Sequence, residues 1–280
     1  EATAIAATRN TEQMLELWLY GKSKNTQKAY RRDINAFLCF VEGKTPDRWT
    51  VNDIQAFGAA LTSQGLKPST VNRKLLAVKS CLSYAKKLGL VVANAGAAVP
   101  TQRVKDTTTE RIIPEDKALE MVFSEKHPTK RLIIKTLYAT GLRVSELTSL
   151  KWEDVREDGE QAVISVWGKG SKQRYIVVKA SLVDELRSHL GGDDGYIFST
   201  RTGKPYDRKR IHNIIKNAGE RVGIEGCSPH WLRHSHASHS LDRGCPISTV
   251  QRSLGHSSLS TTQRYLHAKP EDGSGLHLAF

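Results

Sequence analysis

Four separated stretches of the chain set reactive polar side chains among apolar ones. The first is Ala139-Thr140-Gly141-Leu142-Arg143-Val144-Ser145-Glu146-Leu147, with Arg143 at a helix start. The helix dipole disfavours a cation there, whereas an anion suits the unpaired backbone N–H groups. A phosphate would be held by those groups and the guanidinium together, and Glu146, three residues on, would orient Arg143. Alone, the pair also reads as a surface ion pair. The second stretch, Gly168-Lys169-Gly170-Ser171-Lys172-Gln173, offers Lys169 and Lys172 on a turn. Either lysine could reach a phosphate or protonate a departing oxygen. No Walker pattern accompanies the glycines, so this is not a nucleotide-binding loop.

The third stretch, Pro229-His230-Trp231-Leu232-Arg233-His234-Ser235-His236-Ala237-Ser238-His239, holds four of the ten histidines. His230 and Arg233 share a helix face. Cys227, His230 and His234 have ligand-like spacings for zinc. A closed site requires a fourth ligand, and Arg233 would repel a dication, so no metal is expected. The fourth stretch runs Leu254-Gly255-His256-Ser257-Ser258-Leu259 and on to Tyr265-Leu266-His267. Together the four supply two arginines, two histidines, a lysine and a tyrosine. Arginines and histidines neutralise charge on the non-bridging oxygens of a phosphodiester under attack. A tyrosine is a covalent nucleophile once its proton leaves, and a lysine or histidine protonates the leaving oxygen. No acidic cluster resembles a two-metal nuclease site.

Mainly helical elements must position these groups. Residues 11–90 read as roughly four short helices. Thr26 caps a segment with apolar Tyr30, Ile34, Phe37, Leu38 and Val41; Thr50 and Asp53 form a capping box; Ser69 or Thr70 opens another helix after the break at Gly65-Pro68. Val92 to Thr109, rich in Ala, Gly and Thr, reads as a linker. Beyond it, helices are expected at Pro114, at Arg131–Ala139, at Arg143–Leu150, and at about 181–190, 207–222, 229–243, 246–254 and 259–267. Ala162–Trp167 and Arg174–Val178 read as a hairpin. The expected fold is mainly α: residues 1–91 a helical bundle, 92–110 a linker, and 111–280 a mostly helical domain with a small antiparallel sheet, the two domains that the family resemblance below reads as core DNA-binding and catalytic.

Composition narrows the function classes. The chain has 280 residues, 42 Lys and Arg against 29 Asp and Glu, and a net charge of +13. The first 110 residues hold 16 basic and 9 acidic side chains and the other 170 hold 26 and 20, so both parts favour a shared polyanionic partner. A hydrophobic share of 39% supports packed cores. No run suits a membrane span or a secretory signal. Four scattered cysteines read as reduced thiols of a cytoplasmic protein.

The strings ATGLRVSEL, GKGSKQR, HWLRHSHASH and LGHSSLSTTQRYLH, in this order over Ala139–His267, resemble the tyrosine recombinase (phage integrase) family, and the chain's size resembles its Xer-like and simple transposon-resolvase members. The first domain resembles the family's core-binding domain more weakly, with Lys67-Pro68-Ser69-Thr70-Val71-Asn72-Arg73 similar to its DNA-facing helix start. The resemblance implies that Arg143 and Arg233 bind the scissile phosphate, and that His230 and His256 hydrogen-bond its oxygens, His230 helping to deprotonate the nucleophile. Lys169 protonates the leaving 5′-hydroxyl, with Lys172 a competitor. Tyr265 attacks phosphorus to form a 3′-phosphotyrosine link, and Glu146 supports Arg143. It implies no cofactor, and double-stranded DNA with inverted-repeat core sites as partner. Two such sites are bound by a homotetramer, or by a heterotetramer with a related recombinase, and pass through a Holliday junction. The setting is prokaryotic, cytoplasmic and nucleoid-associated.

Lys28, Arg31, Arg32, Lys67, Thr70, Arg73, Lys74, Lys172, Arg208, Lys209 and Arg210 are the candidate DNA contacts. His236 stands where many relatives are apolar or aromatic, and its polar ring requires a partner. The tail past Tyr265 ends in Leu276–Phe280, which suits docking on a neighbouring subunit or fraying. No arm-binding domain fits before residue 10, unlike the large lambda-like integrases. A type IB topoisomerase-like nicking and closing enzyme shares the chemistry, and a non-catalytic DNA-binding regulator remains the non-enzyme alternative.

Overall fold

The computed structural model describes residues 11–168, 173–191, 194–256 and 258–266. They form a mainly helical chain with one small antiparallel sheet, divided into two compact units at Lys105 and Asp106. Among the described residues no helix is long and apolar enough to cross a membrane.

The first unit is built on α1 (Thr11–Leu19), α2 (Lys24–Phe40), α3 (Val51–Ser63) and α4 (Pro68–Lys87). Ser23, rather than Thr26, caps α2: its hydroxyl accepts the Thr26 N–H at 3.3 Å, which starts the helix three residues earlier than expected. The Thr50–Asp53 capping box forms at α3. Pro68, whose missing N–H costs nothing in a first turn, occupies the start of α4, so that helix opens before Ser69. Phe37 centres the core, edge-on to Trp49 at 5.0 Å and to Phe57 at 5.1 Å.

The start of the expected linker has structure of its own. Asn94 caps a short 3₁₀ turn over Ala95–Ala98, and Val99 is buried in the first core. Asn72 and the Gln102 backbone exchange two hydrogen bonds at 2.7 and 2.8 Å. The small residues of this stretch permit close packing: a Cβ on Gly96 would lie 2.9 Å from Lys79 Cγ.

The second unit comprises α5 (Glu115–Phe123), α6 (Pro128–Thr140), α7 (Val144–Ser149), β1 (Val155–Asp158), β2 (Gln161–Trp167), β3 (Gln173–Lys179), α8 (Ala180–Leu190), α9 (Arg208–Arg221), α10 (Pro229–Asp242), α11 (Ile247–Leu254) and α12 (Leu259–Gln263). The sheet order is β1-β2-β3, all antiparallel, with Val163 opposite Val177. β1 was absent from the expected elements because its sequence, Val-Arg-Glu-Asp, has no apolar alternation; pairing with β2 alone makes it a strand. Helix α6 is the spine, with Leu132, Ile133, Ile134 and Leu137 all fully buried. It packs against α10, whose buried face uses small Ser235, Ala237 and Ser238. The apolar face of α6 faces the core while Lys130, Arg131 and Lys135 line the other side, and small residues on its neighbour let the two backbones approach.

Candidate active site

Two helix ends and one inward-facing strand residue build the frame of the site. Helix α6 stops at Gly141, in the left-handed conformation at φ 61°, where a Cβ would lie 2.6 Å from His236 Cδ2. Only glycine satisfies both constraints. Helix α11 likewise ends at Gly255, at φ 66°. Each end leaves carbonyls without helical partners. Arg233, only 4% exposed on α10, donates to Gly141 O and to Leu254 O, both at 2.6 Å. A cation at the negative ends of two helices is favourably placed, and this one clasps them together. It thereby fixes the segments that carry Arg143 and His256. Burial and the neighbouring Arg143 bring the Arg233 guanidinium down to about 10, still cationic at neutral pH.

Glu146 holds the second arginine. Its carboxylate accepts the Arg143 backbone N–H at 2.7 Å and Arg143 Nη1 at 2.9 Å, as the sequence spacing suggested. It also accepts both Nη groups of Arg174 at 2.8 Å. Burial opposes the Glu146 charge. The hydrogen bonds from Arg174 and from the Arg143 backbone outweigh it and hold the carboxyl below its ordinary range. Arg174 lies 8% exposed on β3 and also donates Nε to Ser253 O at 2.7 Å, a second clasp on the end of α11. Sequence reasoning missed it. The available signal was strand alternation, because Arg174 shares the inward face of β3 with buried Ile176 and Val178. An inward arginine requires a buried anion, and Glu146 is that anion.

Tyr265, just past α12, is 4% exposed, and its hydroxyl lies 2.6 Å from His234 Nδ1. The His256 ring stacks on the phenol with centroids 6.4 Å apart and planes 20° apart, and its Nδ1 meets Thr262 Oγ1 at 3.0 Å. His230 stands one turn before His234, their rings 6.5 Å apart. Burial first, and then the surrounding cations, lower the pKa values of all three histidines, His234 and His256 to about 4. All three are therefore neutral at pH 7. Burial raises the Tyr265 phenol while Arg233 and Arg264 pull it down, with a net rise. The resting hydroxyl is protonated. His236 finds its partner in Tyr138 O at 2.9 Å.

Arg143, Glu146, Arg233, His230, His256 and Tyr265 thus come from α7, α10 and the α11–α12 region into one electrostatically coupled group. Lys169 and Lys172 lie outside the described residues, as does the tail past Leu266. Among the described residues no three His, Cys, Asp or Glu side chains converge in a way that could hold a metal ion. Cys227 sits in the core, its thiol pushed up to about 12 by burial.

Two family models match the chain: the phage integrase family over residues 103–272, and the phage integrase N-terminal SAM-like domain over residues 11–88. The chain belongs to the phage integrase family. Among its relatives, the tyrosine recombinase XerA of Pyrococcus furiosus is 37% identical over 259 residues, covering 89% of this chain and 85% of that one. The tyrosine recombinase XerC of Herpetosiphon aurantiacus is 32% identical over 269 residues, covering 88% and 86%. A crystal structure of XerA recombinase aligns over 93% of this chain and 95% of its own, at 28% identity and a TM-score of 0.51. A lambda integrase dimer bound to a core site aligns over 96% and 94%, at 20% identity and a TM-score of 0.74, and shares the fold. The protein is a tyrosine site-specific recombinase acting on DNA, and the topoisomerase-like and regulatory alternatives are not favoured.

In this recombinase the candidate DNA contacts divide by environment. Lys28, Arg32, Lys67, Arg208, Lys209 and Arg210 are exposed, and Arg210 stacks on Tyr206 at 4.1 Å. Arg31 pairs with Glu16 at 2.6 Å. Thr70 is half-buried in the first turn of α4. Arg73 and Lys74, also on α4, both pair with the fully buried Asp33 of α2.

Proposed function

We propose that Tyr265 cleaves one DNA strand by attacking the scissile phosphodiester, leaving a 3′-phosphotyrosine link, and that the link is resolved when the 5′-hydroxyl of another strand attacks it. The observation that carries this reading is the double clasp of Arg233. One buried guanidinium holds the end of α6, two residues before Arg143, and the end of α11, two residues before His256, on the helix that also bears His230. Each Nη spends one N–H on a carbonyl and keeps another. Arg143 and Arg233 bind the non-bridging oxygens, where negative charge builds in the transition state. His230 and His256, neutral at pH 7, donate hydrogen bonds to the same phosphate. Lys169, or in its stead Lys172, protonates the leaving oxygen. The phosphotyrosine keeps the ester's energy, so the cycle uses neither nucleotide nor metal.

Four protomers bring two inverted-repeat core sites together, exchange one pair of strands, pass through a Holliday junction and exchange the other. A lambda integrase tetramer bound to a Holliday junction, which has the same fold, supports this reading. The basic candidates on α2, α4 and α9 contact phosphates, which set position rather than sequence. The working place is the prokaryotic cytoplasm, at the nucleoid.

A duplex nicked near the cleavage point tests the reading, because the short fragment diffuses away and traps the covalent complex. The native chain accumulates a protein–DNA adduct and Tyr265→Phe accumulates none. An adduct that persists in Tyr265→Phe refutes the nucleophile assignment.

A further inference from the structure

The hydroxyl of Tyr265 has a partner that neither the sequence motifs nor the family assignment singles out. His234 Nδ1 lies 2.6 Å from it, within the range of a strong O–H···N hydrogen bond. The other histidines of the site are not placed for that contact. His256 presents its ring face to the phenol, and its Nδ1 is engaged by Thr262. His230 sits beyond His234, one helical turn back, and its residue is exposed where Tyr265 is buried.

We propose that His234 Nδ1 is the first acceptor of the Tyr265 phenolic proton during strand cleavage, which makes His234 a further catalytic residue of this recombinase. The proposal rests on Tyr265 being the nucleophile. As the phenolic O–H bond breaks and the O–P bond forms, the proton passes to Nδ1 and His234 becomes an imidazolium. The P–O bond to the departing strand breaks, and that oxygen takes its proton from the lysine. Rejoining runs the same transfers backwards, so protons balance over the cycle.

The charges around His234 give the step a condition. Its own helix contributes His230 and Arg233. The segment before α5 contributes Arg111 and Asp106, and the far side contributes Tyr265 and His256. Without DNA this set is dominated by cations, which oppose an imidazolium, so the proton stays on the phenol. A bound phosphodiester adds a negative charge to the same space and removes that opposition. Nucleophile activation is then tied to substrate binding: the buried phenol stays inert until the polyanion that it will attack has arrived.

The test is the pH dependence of single-turnover adduct formation on the nicked duplex. For the native chain the rate is flat from pH 6 to 8.5, because a neutral acceptor is already in place. In His234→Gln, whose amide can pair with the hydroxyl but cannot take its proton, the rate at pH 7 falls about 100-fold. It then climbs about tenfold per pH unit as solvent hydroxide takes over, while DNA affinity by gel shift stays unchanged. His230→Gln lowers the rate without adding a slope. A native rate in His234→Gln, a loss equal at every pH, or a slope that belongs to His230→Gln instead, each overturns the proposal. A second measurement needs no variant at the histidine: ¹⁵N NMR of the native chain shows an unprotonated, hydrogen-bonded Nδ1 at His234 whose shift changes in Tyr265→Phe. A protonated Nδ1 overturns the proposal. An adduct in Tyr265→Phe fails the nucleophile reading itself, a distinct outcome.

Discussion

Replacing Glu146 by Gln removes one negative charge and leaves two arginines facing an amide. The carboxylate accepts four hydrogen bonds between 2.7 and 2.9 Å, three of them from guanidinium groups. Arg174 is the more exposed to loss, because it is 8% exposed and Glu146 is its buried counter-charge. Removing one partner of a buried pair costs about 3–5 kcal/mol. For a unit of this size each kcal/mol shifts the melting temperature by about 2–4 °C, so Glu146→Gln should melt roughly 6–20 °C lower by calorimetry. Removing both buried charges reverses part of that loss, because Glu146→Leu with Arg174→Met leaves no unpaired charge between them and fills a similar volume, while the Arg143 N–H and the Ser253 carbonyl lose their partners. The double variant should melt several degrees above the single variant and below the native chain. It should still form little adduct on the nicked duplex, because Arg143 has lost the group that aims it. The Glu146 contribution is present above pH about 4.5 and is lost as pH falls through its lowered folded pKa. A single variant that melts within about 1 °C of native, or a double variant no more stable than the single, refutes the account of Glu146 as the anion between two arginines.

Other outcomes follow from the same geometry. Gly141→Ala should lose about 2–4 kcal/mol in urea unfolding, from a left-handed φ of 61° and a Cβ 2.6 Å from the His236 ring. Arg233→Lys should lower both melting temperature and adduct yield, since one ammonium cannot span the Gly141 and Leu254 carbonyls. Asp33→Asn should weaken DNA binding in gel shifts and cost about 3–5 kcal/mol, because a buried carboxylate holds Arg73 and Lys74 on α4. Lowering pH from 7 to 5 should reduce the melting temperature. His234, His236 and His256 titrate near 4 when folded and near 6.5 when unfolded, so the unfolded chain takes up more protons across that window. The expected loss is on the order of 1–2 kcal/mol per histidine, and a flat profile would contradict the depressed values.

What was legible in the sequence, and what was not, divides by the range of the interaction that decides it. Helical spacing and the Thr50–Asp53 box are settled within one turn of chain, and they read correctly from residues alone. The Arg143–Glu146 contact is local too, an i, i+3 pair. Arg174 was missed because its meaning depends on a residue 28 positions away in another element. The strand pattern could have raised the question, but only the fold brings Glu146 to it. β1 failed for the same reason, as a polar segment whose pairing partner alone makes it a strand.

The histidines carry that distinction into the chemistry. On one helix, His230, His234, His236 and His239 are equivalent as letters, and spacing sets both His230 and His236 three residues from Arg233 without telling their roles apart. The fold separates them by what comes to meet each ring. Tyr265 Oη reaches His234, the Tyr138 carbonyl reaches His236, and the Tyr138 hydroxyl reaches His239 at 2.7 Å. Two of these partners come from α6, the spine of the core, and anchor α10 against it. The third is the phenol of Tyr265, which returns from beyond α11. A helix dense in histidine thus serves two ends on two faces: one locks the helix that carries Arg233 into the core, and the other sets His234 against the Tyr265 hydroxyl. Substitutions should separate accordingly, with His236 and His239 read out in stability and His234 in the pH dependence of cleavage.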